Sequence, residues 1–151
     1  MNIIKYKSPF GVITIQEEDD AITKIYLPNA EPDIPETPNE LLEKAKKQLD
    51  EYFNKTRETF DLPLDFGDSG DFHAKVYSEL IKIPYGKTAT YKDIAERVGS
   101  PKGFRAVGLA NNRNPLPIIV PCHRVIGSNG KMVGFAGGLD LKKQLLELEK
   151  S

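Results

Sequence analysis

Residues 120–125 read Val-Pro-Cys-His-Arg-Val and hold the only cysteine of the 151-residue chain. A thiolate with an imidazole in reach is a nucleophile–base pair, and a third group that orients the imidazole completes the set. A lone cysteine equally fits the commoner role of a small buried hydrophobe. Adjacency does not decide between them. In an extended segment neighbouring side chains point to opposite faces, so Cys122 and His123 meet only through a bend or a bridging water. The final helical pattern, LDLKKQLLELEK (139–150), offers the orienting group. Leu141, Leu145 and Leu148 define its buried stripe, and Glu149 falls four residues after Leu145 at the edge of that face. A carboxylate there is costly unless paired; the alternative is a frayed helix end open to water.

The elements that must hold these residues come from the second half of the chain. NPLPIIVPCHRVI (114–126) is apolar but interrupted by three prolines, so it is a rigid irregular segment or an edge strand. Pro121 removes a backbone donor and biases Val120 toward an extended conformation. Upstream, DFHAKVYSELIKI is a helix with Phe72, Val76, Leu80 and Ile83 on one stripe. TYKDIAERVG begins with Thr90 as N-cap and Asp93 three residues on, a capping box. SPKGFRAVGLANN follows, with Ser100 as cap and Pro101 in the first helical turn. Two short helices joined around Gly99 form a helix-turn-helix whose second member carries Arg105 among the small residues Ala106, Gly108 and Ala110. Small side chains permit close docking on DNA and serve helix–helix packing equally well.

The first half reads differently. NIIKYKS, VITIQEE and AITKIYLP are strands separated by turns. PNAEPDIPETP is an exposed linker, and TPNELLEKAKKQLDEYFNKT is an amphipathic helix capped by Thr37 or Asn39. DLPLDFGDSG supplies a short strand and a flexible joint. We therefore expect an α+β protein: a strand-rich α/β domain over 1–68 and a helical domain with the helix-turn-helix over 69–151. Residues 1–70 carry 8 basic and 15 acidic side chains, a net −7, whereas residues 71–151 carry 13 and 7, a net +6. The basic half suits a polyanionic partner or reflects compositional scatter. One cysteine makes no internal disulfide, and no apolar run approaches the roughly 20 residues needed to span a bilayer. The expected location is the cytoplasm, away from membranes.

FRAVGLANN, NPLPIIVPCHRVI and GFAGGLDLKKQLLELE together resemble the O6-alkylguanine-DNA alkyltransferases, also called methylated-DNA–protein-cysteine methyltransferases. Pro-Cys-His-Arg-Val is the family signature, and the flanks agree over roughly residues 72–150. The resemblance implies a small ribonuclease-H-like N-terminal domain packed on a winged-helix-like C-terminal domain. It implies direct, irreversible transfer of a methyl or alkyl group from O6 of guanine in duplex DNA, with O4 of thymine as a further candidate, to Cys122. In that scheme His123 takes the thiol proton through a bound water and Glu149 steadies the imidazole. Tyr91 donates a proton toward N3 of the purine and crowds the adjacent phosphate, and Asn114 ties the recognition segment to the cysteine loop. Arg105 fills the place of the everted base. Ala106 and Gly108 give close fit in the minor groove, while Lys92, Ser100 and Ser128 touch the DNA backbone. Pro117, Val125, Ala136 and Gly137 form the guanine pocket; relatives often carry serine where this chain has Ala136.

The same resemblance implies a monomer that acts once on double-stranded DNA containing O6-alkylguanine, without cofactor or metal. Arg124 is expected to make structural hydrogen bonds, and His73 to lie at a surface or helix end. The rival readings are a relative that binds damage without transfer, a helix-turn-helix regulator with an incidental thiol, and a cysteine hydrolase using Cys122 and His123. Cys122 itself argues against the first.

Overall fold

A computed structural model of the chain describes residues 1–131, 135 and 137–151. They form two compact units, Met1–Gly67 and Asp68–Ser151. In the first, strands β1 (Asn2–Ser8), β2 (Gly11–Glu18) and β3 (Ala21–Tyr26) make an antiparallel sheet in the order β1-β2-β3. The turn between β2 and β3 places Asp19 and Asp20 at φ 50° and 63°. A two-residue hairpin loop of the kind that matches strand twist needs positive φ at both positions, and aspartate tolerates it. Helix α1 (Glu40–Phe53) lies against β1 and β2 and buries Leu42, Ala45, Leu49, Tyr52 and Phe53. Its cap is Asn39, whose side chain accepts from the Leu42 amide at 2.9 Å. Thr37 instead accepts from the Ile3 amide at 2.9 Å and ties the linker to β1. The expected strand around Leu64 is a single bridge to Ile22.

The second unit contains helices α2 (Asp71–Ile81), α3 (Tyr91–Arg97), α4 (Phe104–Asn112) and α5 (Leu139–Lys150). Two short parallel strands, β4 (Ala89–Thr90) and β5 (Val125–Ile126), join them. Val76, Tyr77 and Leu80 of α2, Ile94 and Ala95 of α3, and Val107 and Ala110 of α4 are buried where these three helices pack. The Thr90–Asp93 capping box is present, with Asp93 N donating to Thr90 Oγ1 at 3.0 Å and Thr90 N to Asp93 Oδ2 at 2.9 Å. Gly99 turns the chain at φ 79°.

Helix α4 begins at Phe104, not in the first turn after Ser100 as the sequence suggests. Ser100–Gly103 is a tight turn closed by the Gly103 amide on the Ser100 carbonyl at 2.7 Å, with Pro101 at the second position, where its fixed φ fits. A Cβ on Gly103 would stand 2.6 Å from Ser100 Oγ and 3.0 Å from the Ser100 carbonyl oxygen, so a side chain there would require the turn to shift. The stripe of α5 also differs: Leu141, Leu145 and Leu146 are buried, Leu148 is only half-buried, and the polar Lys142 and Glu149 complete the inward face.

Candidate active site

The proline-rich segment forms no strand before its last two residues, which are β5. It is a contorted loop in which every residue from Leu116 to Val125 is buried. Ile118 adopts φ 75°, a left-handed conformation that is unfavourable for a β-branched residue and persists only where the surroundings enforce it. Pro121, at φ −79° and ψ 65°, is the centre of an inverse γ-turn in which the Cys122 amide donates to the Val120 carbonyl at 2.7 Å. A 3₁₀ turn over Cys122–Arg124 follows and leads into β5. The nucleophile candidate thus sits between a γ-turn and a 3₁₀ turn. This is the bend that adjacent side chains need if they are to serve one site.

Around that bend the polar groups converge. His123 is fully buried, and its Nε2 lies 2.6 Å from Glu149 Oε2. A carboxylate only accepts, so Nε2 carries the ring proton and Nδ1 presents its lone pair. No hydrogen-bond partner for that buried Nδ1 exists among the described residues. Glu149 is held on its other side by Arg124, whose Nε donates to Oε1 at 2.8 Å and whose second terminal nitrogen donates to Oε2 at 3.0 Å. The Gly86 amide adds a fourth donor, to Oε1 at 3.2 Å. Arg124 also donates to the Ile83 carbonyl at 2.8 Å and lies over the Tyr85 ring, 5.7 Å from its centroid. Glu149 is therefore a fully engaged carboxylate rather than a frayed end.

Electrostatics set the resting state. Burial pushes the Cys122 thiol up to about 11, against the opposing pull of the Asn114 hydrogen bond and the charge of Lys142. Burial also lowers the basicity of His123, although Glu149 acts against it. The closed site thus holds a neutral thiol and a neutral imidazole. Lys142 is completely buried, donates from Nζ to the Val125 carbonyl at 2.6 Å and lies 5.9 Å from the centre of the Tyr91 ring. Burial lowers it to about 8.

Tyr91 is the first residue of α3, directly after β4, and the pairing of Ala89 and Thr90 with Val125 and Ile126 carries it to the cysteine loop. It is half-buried, and its hydroxyl is raised by burial and then by the proximity of Cys122. Asn114 is buried; its amide donates to the Val120 carbonyl at 2.9 Å and its Oδ1 accepts from the Leu116 amide at 2.9 Å. Pro117 and Val125 are buried in the same loop, and Gly137 is half-buried. Ala136 lies outside the described residues. On α4, Arg105 and Ala106 are exposed, and the flank at Gly108 faces Tyr91, whose ring would be 4.0 Å from an added Cβ. Lys92 and Ser128 are exposed and Ser100 half-buried. Lys87, Lys102 and Arg113 are likewise exposed. His73 is half-buried in the first turn of α2, with its ring against Phe72 and Tyr77.

Two residues of this site escape the sequence reading. Lys142 lies three residues before Leu145 and seven before Glu149, on the apolar stripe, a position for a polar group only if it has a task. Asn111 sits four residues after Val107 on the buried face of α4 and donates to the Cys122 carbonyl at 3.3 Å. Among the described residues no group of three or more His, Cys, Asp or Glu side chains is placed to hold a metal. Nor is any described helix long and apolar enough to cross a membrane.

Comparison with known proteins agrees with this arrangement. The family described as 6-O-methylguanine DNA methyltransferase, DNA binding domain, matches residues 71–151, and its companion ribonuclease-like domain matches residues 1–66. The methylated-DNA–protein-cysteine methyltransferase of Methanosarcina acetivorans is 43% identical over 97% of this chain and 96% of its own. The constitutive enzyme of that name from Bacillus subtilis is 46% identical over 95% and 92%. Among solved structures, Mycobacterium tuberculosis OGT in complex with DNA superposes with a TM-score of 0.91 at 40% identity, covering 99% of this chain and 93% of that one. The O6-methylguanine-DNA methyltransferase of Pyrococcus kodakaraensis gives 0.70 at 26% identity, over 99% and 98%. The ribonuclease-like and DNA-binding halves account for the mixed α+β architecture, and the chain belongs to the 6-O-methylguanine DNA methyltransferase family.

Proposed function

We propose that the protein repairs DNA by taking an alkyl group from O6 of guanine onto Cys122, once per molecule. The observation that carries this reading is the chain from Cys122 through His123 to Glu149. The lone cysteine shares a 3₁₀ turn with His123, whose Nε2 is locked by the carboxylate and whose Nδ1 has no hydrogen-bond partner among the described residues. The thiol proton passes to Nδ1 through a bridging water. The sulfur then attacks the alkyl carbon, forming the S–C bond as the C–O6 bond breaks, and the electron pair leaves with the purine. Tyr91 donates its hydroxyl proton toward N3, so guanine departs neutral. The products are a thioether on Cys122 and an unmodified base. No cofactor enters the balance, and nothing regenerates the thiol.

A buried sulfur cannot reach a stacked base, so the modified nucleotide must be everted, at a cost of a few kcal/mol. Arg105, exposed on α4, fills the vacated place. Ala106 and Gly108 admit the minor-groove walls closely, and Lys92, Ser100 and Ser128 contact the phosphate backbone. Pro117, Val125 and Gly137 enclose the base. The protein acts as a monomer in the cytoplasm. With Lys87, Lys92, Lys102, Arg105 and Arg113 in or next to α3 and α4, binding weakens with salt. The stoichiometry tests the scheme: limiting protein must clear one O6-methylguanine per chain from a duplex and then stop, whereas continued turnover rejects it.

A further inference from the structure

Asn111 and Asn114 hold the carbonyls on either side of the Pro121–Cys122 peptide. Asn114 takes Val120 O at 2.9 Å, and Asn111 takes Cys122 O at 3.3 Å. The two differ in one respect. The Asn114 amide is used at both ends, since its Oδ1 accepts from Leu116. Asn111 is 3% exposed, yet its Oδ1 has no hydrogen-bond partner among the described residues. Burying half an amide is unfavourable, and an apolar side chain would serve the packing of α4 better. The orientation is also dictated: the reversed amide would set two oxygens against each other at Cys122 O. Asn111 further belongs to the helix that exposes Arg105.

We propose that Asn111 is a positioning residue for the nucleophile, fixing the Cys122 carbonyl to α4 so that the helix meeting DNA and the attacking sulfur move as one body. The proposal rests on the functional reading above only for the direction in which α4 faces. The hydrogen bond that carries it does not depend on that reading. The Val125 amide closes the 3₁₀ turn on the same carbonyl, and Asn111 adds the bond that ties the Cys122–His123 peptide, and so the direction of the Cys122 Cα–Cβ bond, to α4. Displacement of a reacting group by about 1 Å can cost a hundredfold in rate, so a single restraint at this peptide has a measurable effect.

Two variants test this, each read by melting temperature, by single-turnover transfer from duplex O6-methylguanine, and by the pH profile of Cys122 alkylation with iodoacetamide. Asn111→Leu keeps the volume and removes the bond; transfer is expected to slow by about tenfold or more, while iodoacetamide reacts faster with the less confined sulfur. Asn111→Asp places a titratable group at the Cys122 carbonyl. There it joins Lys142 of α5, His123, Tyr91 of α3 and Tyr77 of α2 around the thiol. Once ionised, it repels both the carbonyl and the thiolate. Its alkylation profile should move to higher pH, and its transfer rate relative to the native chain should fall as pH rises. A mere packing role moves neither profile. Native rates and an unshifted profile in both variants would overturn the proposal. If the native chain transfers no methyl, the functional reading fails on its own, and the iodoacetamide profiles still decide the role of Asn111.

Discussion

Glu149 Oε2 lies 2.6 Å from His123 Nε2, and the same carboxylate is gripped by Arg124 through two further hydrogen bonds of 2.8 and 3.0 Å. One buried carboxylate therefore does two jobs. It sets the tautomer of the imidazole, and it neutralises a guanidinium that anchors the loop after α2 through the Ile83 carbonyl.

Removing the charge of Glu149 tests the second job. In Glu149→Gln the buried Arg124 keeps its charge without a counter-ion, which costs about 3–5 kcal/mol. For a chain of this size the melting temperature should drop by roughly 10 °C. Differential scanning calorimetry checks it; a shift within a degree or two would mean that Arg124 finds its stabilisation elsewhere.

The pH dependence of Cys122 follows from its burial. With the thiol pushed up to about 11 in the fold, its reactivity toward a small haloacetamide should climb from pH 7 to pH 9 without levelling off. The same shift has a stability consequence with a definite sign. A group whose pKa is raised by folding stabilises most below its unfolded value and loses that contribution as pH climbs toward the folded one. Urea midpoints should therefore decline above about pH 8.5. Cys122→Ala should remove that share of the decline, and an unchanged slope in this variant would contradict the assignment. His123, lowered by burial, acts at the other end: its contribution is complete above its ordinary value and disappears as pH falls below it.

Lys142 is the buried cation whose charge favours the Cys122 thiolate. Lys142→Met should raise the thiol further and slow haloacetamide alkylation at pH 7 by roughly threefold to tenfold. The difference should shrink above about pH 8, where the lysine itself becomes neutral. Equal rates at pH 7 would remove Lys142 from the electrostatics of the site.

Arg105 is exposed and makes no side-chain hydrogen bond or ion pair among the described residues, so Arg105→Ala should leave the melting temperature unchanged. Its effect should be confined to duplex DNA, where filling the vacated stack lowers the cost of eversion. A loss of about tenfold or more in duplex repair is expected, with native reactivity toward free O6-alkylguanine. An equal loss on both substrates would place Arg105 in the chemistry instead.

What the sequence disclosed was mostly local. The Thr90–Asp93 capping box was legible because both partners lie within one helical turn, and the three strands because alternation and turn residues coincide. The Cys122–His123 pair was visible by adjacency, but its geometry was not: the γ-turn at Pro121 and the left-handed Ile118 belong to a buried loop whose carbonyls are held by the side chains of Asn111 and Asn114, which alternation and spacing do not reveal. Glu149 could be placed on a face, yet its pairing depends on Arg124, 25 residues earlier. Lys142 and Asn111 were hidden for the opposite reason. Each occupies an apolar register with a polar side chain, and only the carbonyls of Val125 and Cys122 explain why. The start of α4 is not legible in the sequence, because a proline after serine marks a turn as readily as a first helical residue.

The most direct measurement is the intact mass of the reduced chain after incubation with duplex DNA carrying O6-methylguanine. Transfer to Cys122 predicts the gain of one methyl group, mapped to that residue by peptide fragmentation and absent in Cys122→Ala while the variant still binds the duplex. An unmodified mass in folded, reduced protein, or a methyl group on any other residue, would contradict the account.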